Sequence, residues 1–257
     1  MTHTKQQQIQ WVLASDIDNT LTGDSQALLR LGRQLAELRA QGRLALFLTT
    51  GRTLQETLTG FERENIPQAD AIITQVGTEI YLPPFSAGMQ PLQEWADRLH
   101  RQYSRQQAVS FLSNIDGAVL QADRYNTSLK ASFYLDKAPN PARAAELVQQ
   151  RVAAAGDSYQ VVWSSGKHLD ILPAAAGKAN AVRFLIHHLQ LAPQQVIAAG
   201  DSGNDRSMLV GLDYGIVVGN AQPELKEMQA DPPAQLYFAQ QPFAAGVAEG
   251  LRQLGVL

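Results

Sequence analysis

The sequence predicts an α/β protein with a Rossmann-like, doubly wound parallel-sheet core and an inserted α+β domain. Three observations predict this fold. Short apolar runs alternate with amphipathic helix patterns early in the chain, the pattern becomes polar and irregular near residue 85, and the alternation returns after Pro173. Strands that alternate with helices form a parallel sheet covered by helices. We therefore expect the core at residues 1–84 and 172–257 and the inserted domain at residues 85–171.

The first part of the core reads strand, helix, strand, helix, strand. Residues 11–15 are apolar, residues 25–40 repeat leucines at the spacing of one helix face, and residues 43–49 are almost continuously apolar, as a strand covered on both faces should be. Residues 53–56, TLQE, fit a capping box that begins the second helix. Residues 71–76 are the third predicted strand.

The inserted domain shows weaker but readable patterns. Residues 131–136 and 159–165 look like strands, and residues 140–156 read as a helix with a cap, an early proline and a glycine stop. We expect Trp95 and Trp163 in the core of this domain. The second part of the core then gives a helix at 178–189, strands at 196–200 and 214–219, and a polar turn between those two strands.

Composition excludes several classes of protein. The 257 residues include 21 Lys and Arg against 24 Asp and Glu, a net charge of −3, so nothing indicates a nucleic-acid surface. There is no cysteine, which excludes disulfides and thiolate metal sites. The N-terminus has no signal-peptide pattern and no apolar run could span a membrane. We expect a cytoplasmic, monomeric protein that binds neither membrane nor nucleic acid.

Polar residues follow each predicted core strand. In open α/β sheets, ligands bind outside the carboxyl ends of the strands. The segments that follow these strands are Asp16-Ile-Asp18, Thr50-Gly-Arg52, Gly77-Thr-Glu79 and the run from Gly200 to Asp205. We therefore expect all of them to meet at one edge of the sheet.

A cluster of carboxylates at this edge predicts a metal. Asp16, Asp18, Asp201 and Asp205 would repel one another unless a cation neutralised them. Without Cys or His in these motifs, Mg²⁺ held through oxygen is the natural choice. Asp16 and Asp201 are the predicted direct ligands, and Asp205 is predicted to bind directly or through water.

The neighbouring residues predict a phosphoryl clamp. Lys178 begins a predicted helix, where free N–H groups favour an anion. Thr50 can donate a hydroxyl, and the backbone at Gly51 allows close approach; we also assign Arg52 and Asn204 to this phosphate site.

The two N-terminal aspartates suit two different steps. A carboxylate can attack phosphorus and form an aspartyl-phosphate, and a second carboxyl can protonate the leaving alkoxide and later activate water. We predict Asp16 as the nucleophile and Asp18 as the general acid/base, with Thr50 and Lys178 completing the catalytic set. An isolated pair of this kind could instead be a helix-capping turn.

The segments DIDNT, TTGR, GKANA and GDSGND resemble, in order, the four motifs of the haloacid dehalogenase (HAD) superfamily of phosphatases. DNT followed by GD, VGTEIY at residues 76–81 and the segment at 164–173 further resemble the bacterial, single-domain type of its sucrose-phosphate phosphatase branch. This resemblance implies an HAD-like core with a mobile cap at the inserted domain. It also implies Mg²⁺-dependent hydrolysis of sucrose 6-phosphate at the fructosyl part.

The resemblance also implies site residues. The backbone carbonyl of Asp18 would join the metal site. The residues placed near the sugar are Glu79, Asn126, Lys130, Ser165, Lys167 and Asp170. The family further suggests an association with a sucrose-phosphate synthase. Departures at Leu21-Thr22 and at His168 leave the precise sugar open.

Other functions remain open from sequence. A relative acting on mannosylfructose phosphate or glucosylglycerol phosphate would share these motifs. A phosphomutase uses the same aspartates but must protect its phospho-enzyme from water. A sugar-phosphate-binding subunit and a receiver domain phosphorylated on Asp16 are further alternatives, although a receiver would need neither Asp18 nor so large an insertion.

Overall fold

The computed structural model describes residues 9–101 and 103–257, and contains two β-sheets. The polar segment at residues 1–8, in which we saw no signal-peptide pattern, lies outside the described residues. The strands are β1 (Trp11–Asp16), β2 (Leu44–Thr49), β3 (Ala71–Thr74), β4 (Glu79–Tyr81), β5 (Val119–Leu120), β6 (Ala131–Tyr134), β7 (Tyr159–Ser164), β8 (His168–Pro173), β9 (Gln195–Gly200), β10 (Tyr214–Val217) and β11 (Leu236–Phe238). The helices are α1 (Ser25–Ala40), α2 (Leu54–Arg63), α3 (Gln93–His100), α4 (Arg105–Ser110), α5 (Pro141–Ala154), α6 (Lys178–His188), α7 (Arg206–Gly211), α8 (Pro223–Lys226) and α9 (Phe243–Gln253).

The larger sheet has the strand order β11-β10-β9-β1-β2-β3-β4. Its neighbours pair in parallel, except that β4 runs antiparallel to β3 at one edge. Strands β1 and β2 are buried along their whole length because helices cover both faces. The predicted α/β core with a parallel sheet is therefore confirmed. The sequence analysis did not predict the antiparallel edge strand β4.

The smaller sheet lies between β4 and α6 in the chain and is antiparallel throughout, in the order β5-β6-β8-β7. Helices α4 and α5 cover one of its faces through a cluster that contains Phe111, Val148 and Val152. Asn140 caps α5 by accepting a hydrogen bond from the Arg143 N–H, as the sequence predicted. The domain limits at residues 85 and 171 stay predictions.

Side-chain caps define where the first two helices begin. Asp24 accepts hydrogen bonds from two backbone N–H groups at the start of α1, and the capping box between Thr53 and Glu56 begins α2. The third strand ends two residues before its predicted limit. Gln75 and Val76 there adopt φ values of 51° and 59°, a conformation that branched side chains rarely take and that turns the chain sharply.

The predicted position of Trp95 was wrong. Its ring lies 4.9 Å from the ring of Phe184 on α6, and its Nε1–H donates to the carbonyl of Gly77 at 3.1 Å. Trp95 is therefore buried against the larger sheet and not in the core of the inserted domain. The amphipathic pattern of α3 identified a buried face but not the sheet that buries it. Among the described helices, none has the length and apolar content needed to cross a bilayer.

Candidate functional site

The site begins at the carboxyl ends of three neighbouring strands. β1 ends at Asp16, β2 leads into Thr50, and β9 leads into Asp201. Because β1 lies between β2 and β9 in a parallel sheet, these ends lie side by side. The edge predicted from the sequence therefore exists for these three segments.

Three carboxylates meet at this edge. One oxygen from each of Asp16, Asp201 and Asp205 lies within 4.8 Å of the others, and all three residues are buried. Burial, together with the charges of the neighbouring carboxylates, raises the pKa of Asp16 well above its ordinary value. The same causes raise the pKa of Asp201 to about 7. Such a cluster has a strong electrostatic affinity for a cation.

Lys178 lies inside the cluster. Its Nζ is 2.6 Å from Asp16 Oδ1, 2.6 Å from Asp205 Oδ1 and 3.4 Å from the Thr49 carbonyl, and the side chain is fully buried. Burial alone would lower the pKa of Lys178, but the charges of Asp16 and Asp205 raise it above its ordinary value. A divalent cation would balance the negative charge that remains when all three carboxylates are ionised beside the one ammonium.

Glycines bring Lys178 to this position. Gly177 precedes α6 with φ at +96°, and Gly77 has φ at +92° in the turn after β3. A Cβ on Gly77 would overlap the backbone of Gly177. The start of α6 can therefore approach the sheet edge only because Gly77 has no side chain.

Several hydrogen bonds hold the loop at residues 201–205, here called the carboxylate loop. Asp205 Oδ2 accepts hydrogen bonds from the backbone N–H groups of Asp201 and Ser202 at 3.0 and 3.1 Å. Thr20 donates its hydroxyl to Asp201 Oδ1 at 3.2 Å. Asn204 Oδ1 is buried without a hydrogen-bond partner among the described residues. This unpaired oxygen and the three carboxylates form a donor set that suits Mg²⁺.

Asp18 lies outside the buried cluster and pairs with an arginine. Arg52 Nη2 and Nε lie 2.7 and 3.0 Å from the Asp18 carboxylate, and its Nη1 and Nη2 each lie 2.8 Å from Glu64. A Cβ on Gly60 would contact Arg52 Nη1 at 2.8 Å, so a glycine leaves room for the guanidinium. Arg52, which the sequence analysis assigns to the phosphate site, therefore lies between the carboxylates of Asp18 and Glu64.

The cluster opens into a cavity of about 650 Å³, within the range of small-molecule sites. From the larger sheet, its walls include Asp16, Asp18, Gly51, Arg52 and Asn204. Thr50, Lys178 and Asp205 lie behind these walls and are buried. The smaller sheet contributes the opposite wall, with Gln121, Lys130, Tyr134, Ser164, Ser165, His168 and Asp170.

Strand alternation explains the opposite wall. In β6, Ala131 and Phe133 pack against the helices, so Tyr134 takes the other face. In β8, Leu169 packs against the helices and Asp170 faces the cavity. A strand pattern of alternating apolar and polar residues therefore builds a hydrophobic core and a polar wall at once.

Three of the six predicted sugar residues line the cavity. Lys130 and Asp170 are both buried there, with Nζ 3.6 Å from Oδ1, and Ser132 donates to Asp170 at 2.5 Å. Ser165 lies on the turn between β7 and β8. The roles of these residues stay predictions.

The other three predicted sugar residues are not among the lining residues of the cavity, and their roles also stay predictions. Glu79 accepts hydrogen bonds from the hydroxyls of Thr74 and Tyr81 at the antiparallel edge. The Asn126 side chain bonds to backbone groups at residues 121, 122 and 132. Lys167 lies 3.6 Å from Asp136. Local sequence could not show that these side chains already have partners.

Several wall residues were not assigned a role from the sequence, among them Gln121, Tyr125, Tyr134 and His168. Gln121 Nε2 donates to the Phe133 carbonyl at 3.1 Å and lies 3.3 Å from His168 Nδ1. The His168 ring lies 5.4 Å from that of Tyr134. The Tyr125 hydroxyl donates to Glu56, which lies in α2 beside the larger sheet, at 2.7 Å. Lys130 directly precedes β6, and Tyr134 lies four residues later on the same face, so this spacing would have identified Tyr134. No comparable signal marks Gln121 or Tyr125.

Comparisons of sequence agree with this geometry. The family model described as sucrose-6F-phosphate phosphohydrolase matches residues 9–255. A mannosylfructose-phosphate phosphatase from Agrobacterium fabrum is 31% identical over 246 residues, which cover 95% of this chain and 97% of the relative. Sucrose-phosphatase 1 from Nicotiana tabacum is 30% identical over 93% of this chain, but the match spans only 58% of the plant protein.

A comparison of folds gives a similar result. The sucrose-phosphatase from Synechocystis sp. PCC6803, solved in complex with sucrose and phosphate, superposes with a TM-score of 0.87. The two chains are 31% identical, and the match covers 96% of this chain and 98% of that one. The likeness therefore extends over both sheets.

Proposed function

The chain belongs to the sucrose-6F-phosphate phosphohydrolase family of HAD phosphatases, and from this premise we propose that it is a Mg²⁺-dependent phosphatase for sucrose 6-phosphate. The observation that carries the proposal is the cavity between the two sheets. One wall holds Asp16 and Asp201, with Lys178 buried directly behind it, and the other is a polar wall suited to hydroxyl groups. A phosphorylated sugar needs both.

The reaction follows from the positions of the acidic side chains. Asp16 attacks phosphorus and forms an aspartyl-phosphate, while Asp18 gives its proton to the leaving sugar alkoxide. Asp18 then takes a proton from the water that hydrolyses the intermediate. The Arg52 pair holds the Asp18 carboxyl group in a defined direction, which both steps need.

The other residues of the site supply charge. Lys178 stays next to the attacking carboxylate and offsets negative charge on the phosphoryl group. Asp16, the Asp18 carbonyl and Asp201 would hold Mg²⁺, with Asp205 in support and the Asn204 oxygen nearby. Bound Mg²⁺ would neutralise phosphate oxygens as charge develops. Thr50 and the backbone at Gly51 and Arg52 complete the proposed phosphate site.

We assign the sugar to the smaller sheet, as the predicted cap. Lys130 and Asp170 are buried polar groups with room beside them, and such groups reject ligands that leave them unpaired. Ser165 faces the same cavity. Glu79, Asn126 and Lys167 remain in the proposal only as supporting residues of this region.

Phosphate release from a panel of sugar phosphates tests the proposal. We expect kcat/KM for sucrose 6-phosphate to exceed that for glucose 6-phosphate by more than tenfold. Equal values would reject the sugar assignment but leave the phosphatase assignment standing. EDTA should abolish the activity and Mg²⁺ should restore it; activity that persists in EDTA would reject the metal assignment.

Mannosylfructose phosphate is the second candidate substrate. The 31% identity to the Agrobacterium enzyme over nearly its full length favours including it. A higher kcat/KM for mannosylfructose phosphate than for sucrose 6-phosphate would select this alternative. Glucosylglycerol phosphate belongs in the same panel.

The predicted partners need separate experiments. Sedimentation of the chain alone tests the predicted monomer, and sedimentation with a sucrose-phosphate synthase tests the association. The cytoplasmic location stays a prediction, which fractionation of cells would test.

A further inference from the structure

Glu224 joins the two walls of the cavity. It lies in the short helix α8, which follows β10 of the larger sheet, and its Oε1 accepts a hydrogen bond from the Ser165 N–H at 2.9 Å. The same oxygen accepts a second hydrogen bond from the Gly203 N–H at 3.2 Å. Ser165 belongs to the turn at residues 164–167, here called the hairpin turn, and Gly203 belongs to the carboxylate loop. One oxygen therefore links the two structures where they meet at the edge of the cavity.

Close packing supports this link. A Cβ on Gly203 would overlap the carbonyl oxygen of Trp163, the residue before Ser164 in β7. The backbone of the carboxylate loop therefore rests directly on β7, and only glycine permits the approach. Backbone atoms of β7 and of the carboxylate loop make this contact. A shift of the hairpin turn that follows β7 should therefore also move the carboxylate loop.

The hairpin turn has one internal hydrogen bond, from the Lys167 N–H to the Ser164 carbonyl at 3.2 Å. Ser165 and Gly166 adopt φ values of 54° and 60°, and a serine in this region is strained. The carboxylate loop has other anchors, since Asp205 accepts from two of its N–H groups and the Gln222 N–H donates to the Asp201 carbonyl at 2.7 Å. Loss of Glu224 should therefore disturb the turn more than the loop.

We propose that Glu224 is a positioning residue for the phosphatase reaction: it fixes the hairpin turn over the carboxylate loop and so sets the distance between sugar subsite and phosphate site. This inference rests on the proposed function. Glu224 is not part of the cavity wall, so it acts through Ser165 and Gly203. Substrates that have no sugar should not depend on it.

The geometry suggests a matched set of variants. Both hydrogen bonds end on one oxygen of Glu224, and the amide oxygen of glutamine can accept them equally. Glu224→Ala removes the acceptor, Glu224→Gln keeps it, and Glu227→Ala changes an exposed carboxylate in the adjoining turn. The glutamine variant thus separates loss of the hydrogen bonds from loss of charge.

Kinetics with two substrates test the inference. We expect Glu224→Ala to raise KM for sucrose 6-phosphate about tenfold, because the hydrogen bonds to both Ser165 and Gly203 are lost. kcat/KM for p-nitrophenyl phosphate should change less than about twofold, because this probe has no sugar to align. Glu224→Gln and Glu227→Ala should behave like the wild type. Unchanged KM in Glu224→Ala, or an equal loss with both substrates, would overturn the proposal.

Hydrogen exchange provides a readout that does not need the substrate. Amides of the hairpin turn should exchange faster in Glu224→Ala than in the wild type and in Glu224→Gln. Equal exchange in all three proteins would overturn the proposal. If the wild type hydrolyses p-nitrophenyl phosphate but not sucrose 6-phosphate, the substrate assignment fails, while the exchange result still decides the role of Glu224.

Discussion

Arg52 donates two hydrogen bonds to the Asp18 carboxylate, from Nη2 to Oδ1 at 2.7 Å and from Nε to Oδ2 at 3.0 Å. The Asp18 side chain is 51% exposed, whereas that of Arg52 is 15% exposed and is also held by Glu64. The buried partner therefore fixes the orientation of the exposed one. A carboxyl group that must exchange protons in both steps benefits from access to water and from a defined direction.

Arg52→Lys should lower kcat about tenfold, equivalent to about 1.4 kcal/mol in the barrier. Lysine keeps the charge but loses the planar fork that binds Asp18 and Glu64 together. Steady-state kinetics with circular dichroism would measure the effect, and Arg63→Lys on the exposed side of α2 is the matched control. Wild-type kcat in Arg52→Lys would contradict a positioning effect on Asp18.

Asp16→Asn should abolish phosphate release, because an amide cannot form the aspartyl-phosphate. The fold should persist, because Asp205 still pairs with the buried Lys178 at 2.6 Å after Asp16 becomes an amide. Rapid quench with a labelled sugar phosphate checks the intermediate. Substantial activity in Asp16→Asn would show that another residue attacks phosphorus.

Asp18→Asn should lower kcat by about 10²- to 10⁴-fold, the usual contribution of a general acid/base. If the hydrolytic step slows more than the attack, phospho-enzyme accumulates in this variant. Acid-trapped protein analysed by mass spectrometry detects the added phosphate on Asp16. A variant with unaltered turnover would remove Asp18 from the proton transfers.

Mg²⁺ should stabilise the folded protein. A cation that binds only the native cluster adds about 2.7 kcal/mol at 100 times its Kd, or roughly 5–10 °C in Tm for a chain of this size. Asp201→Asn should remove most of this shift, and Asp157→Asn, which changes an exposed carboxylate, should retain it. Differential scanning calorimetry with and without Mg²⁺ measures both; an equal shift in Asp201→Asn would place the cation elsewhere.

His168 should make stability depend on pH. Burial lowers its pKa from the ordinary 6.5, although the Asp170 charge opposes this. Gln121 Nε2 also donates to the Phe133 carbonyl, so it is the amide nitrogen, and His168 Nδ1 must accept from it. The neutral imidazole is therefore the native form.

The sign follows from the number of bound protons. Below 6.5 the unfolded state binds more protons at this site than the folded state, so the free energy of unfolding falls as pH decreases through 6.5 toward the lowered folded pKa. Urea denaturation at pH 7.5 and 5.0 should show a smaller loss in His168→Gln than in the wild type. His187→Gln, on the exposed side of α6, should match the wild type; an equal loss in His168→Gln would argue against a buried neutral imidazole.

The order of motifs determined much of the site. Apolar runs identified the core strands, and polar residues directly after them identified the edge where Asp16, Thr50 and Asp201 lie. This succeeds because the carboxyl ends of parallel strands meet regardless of what separates them in the chain. Lys178 was predictable for the same reason, as the first residue of a helix that begins at this edge.

Only the tertiary structure decided which polar side chains are free for a ligand. Glu79 and Asn126 have suitable chemistry, yet neighbouring hydroxyl and backbone groups already engage them. The pairs of Arg52 with Asp18, and of Glu224 with Ser165, join residues far apart in the chain. Residue type and spacing fix what a side chain can do, but its available hydrogen-bonding capacity depends on neighbours that only packing brings together.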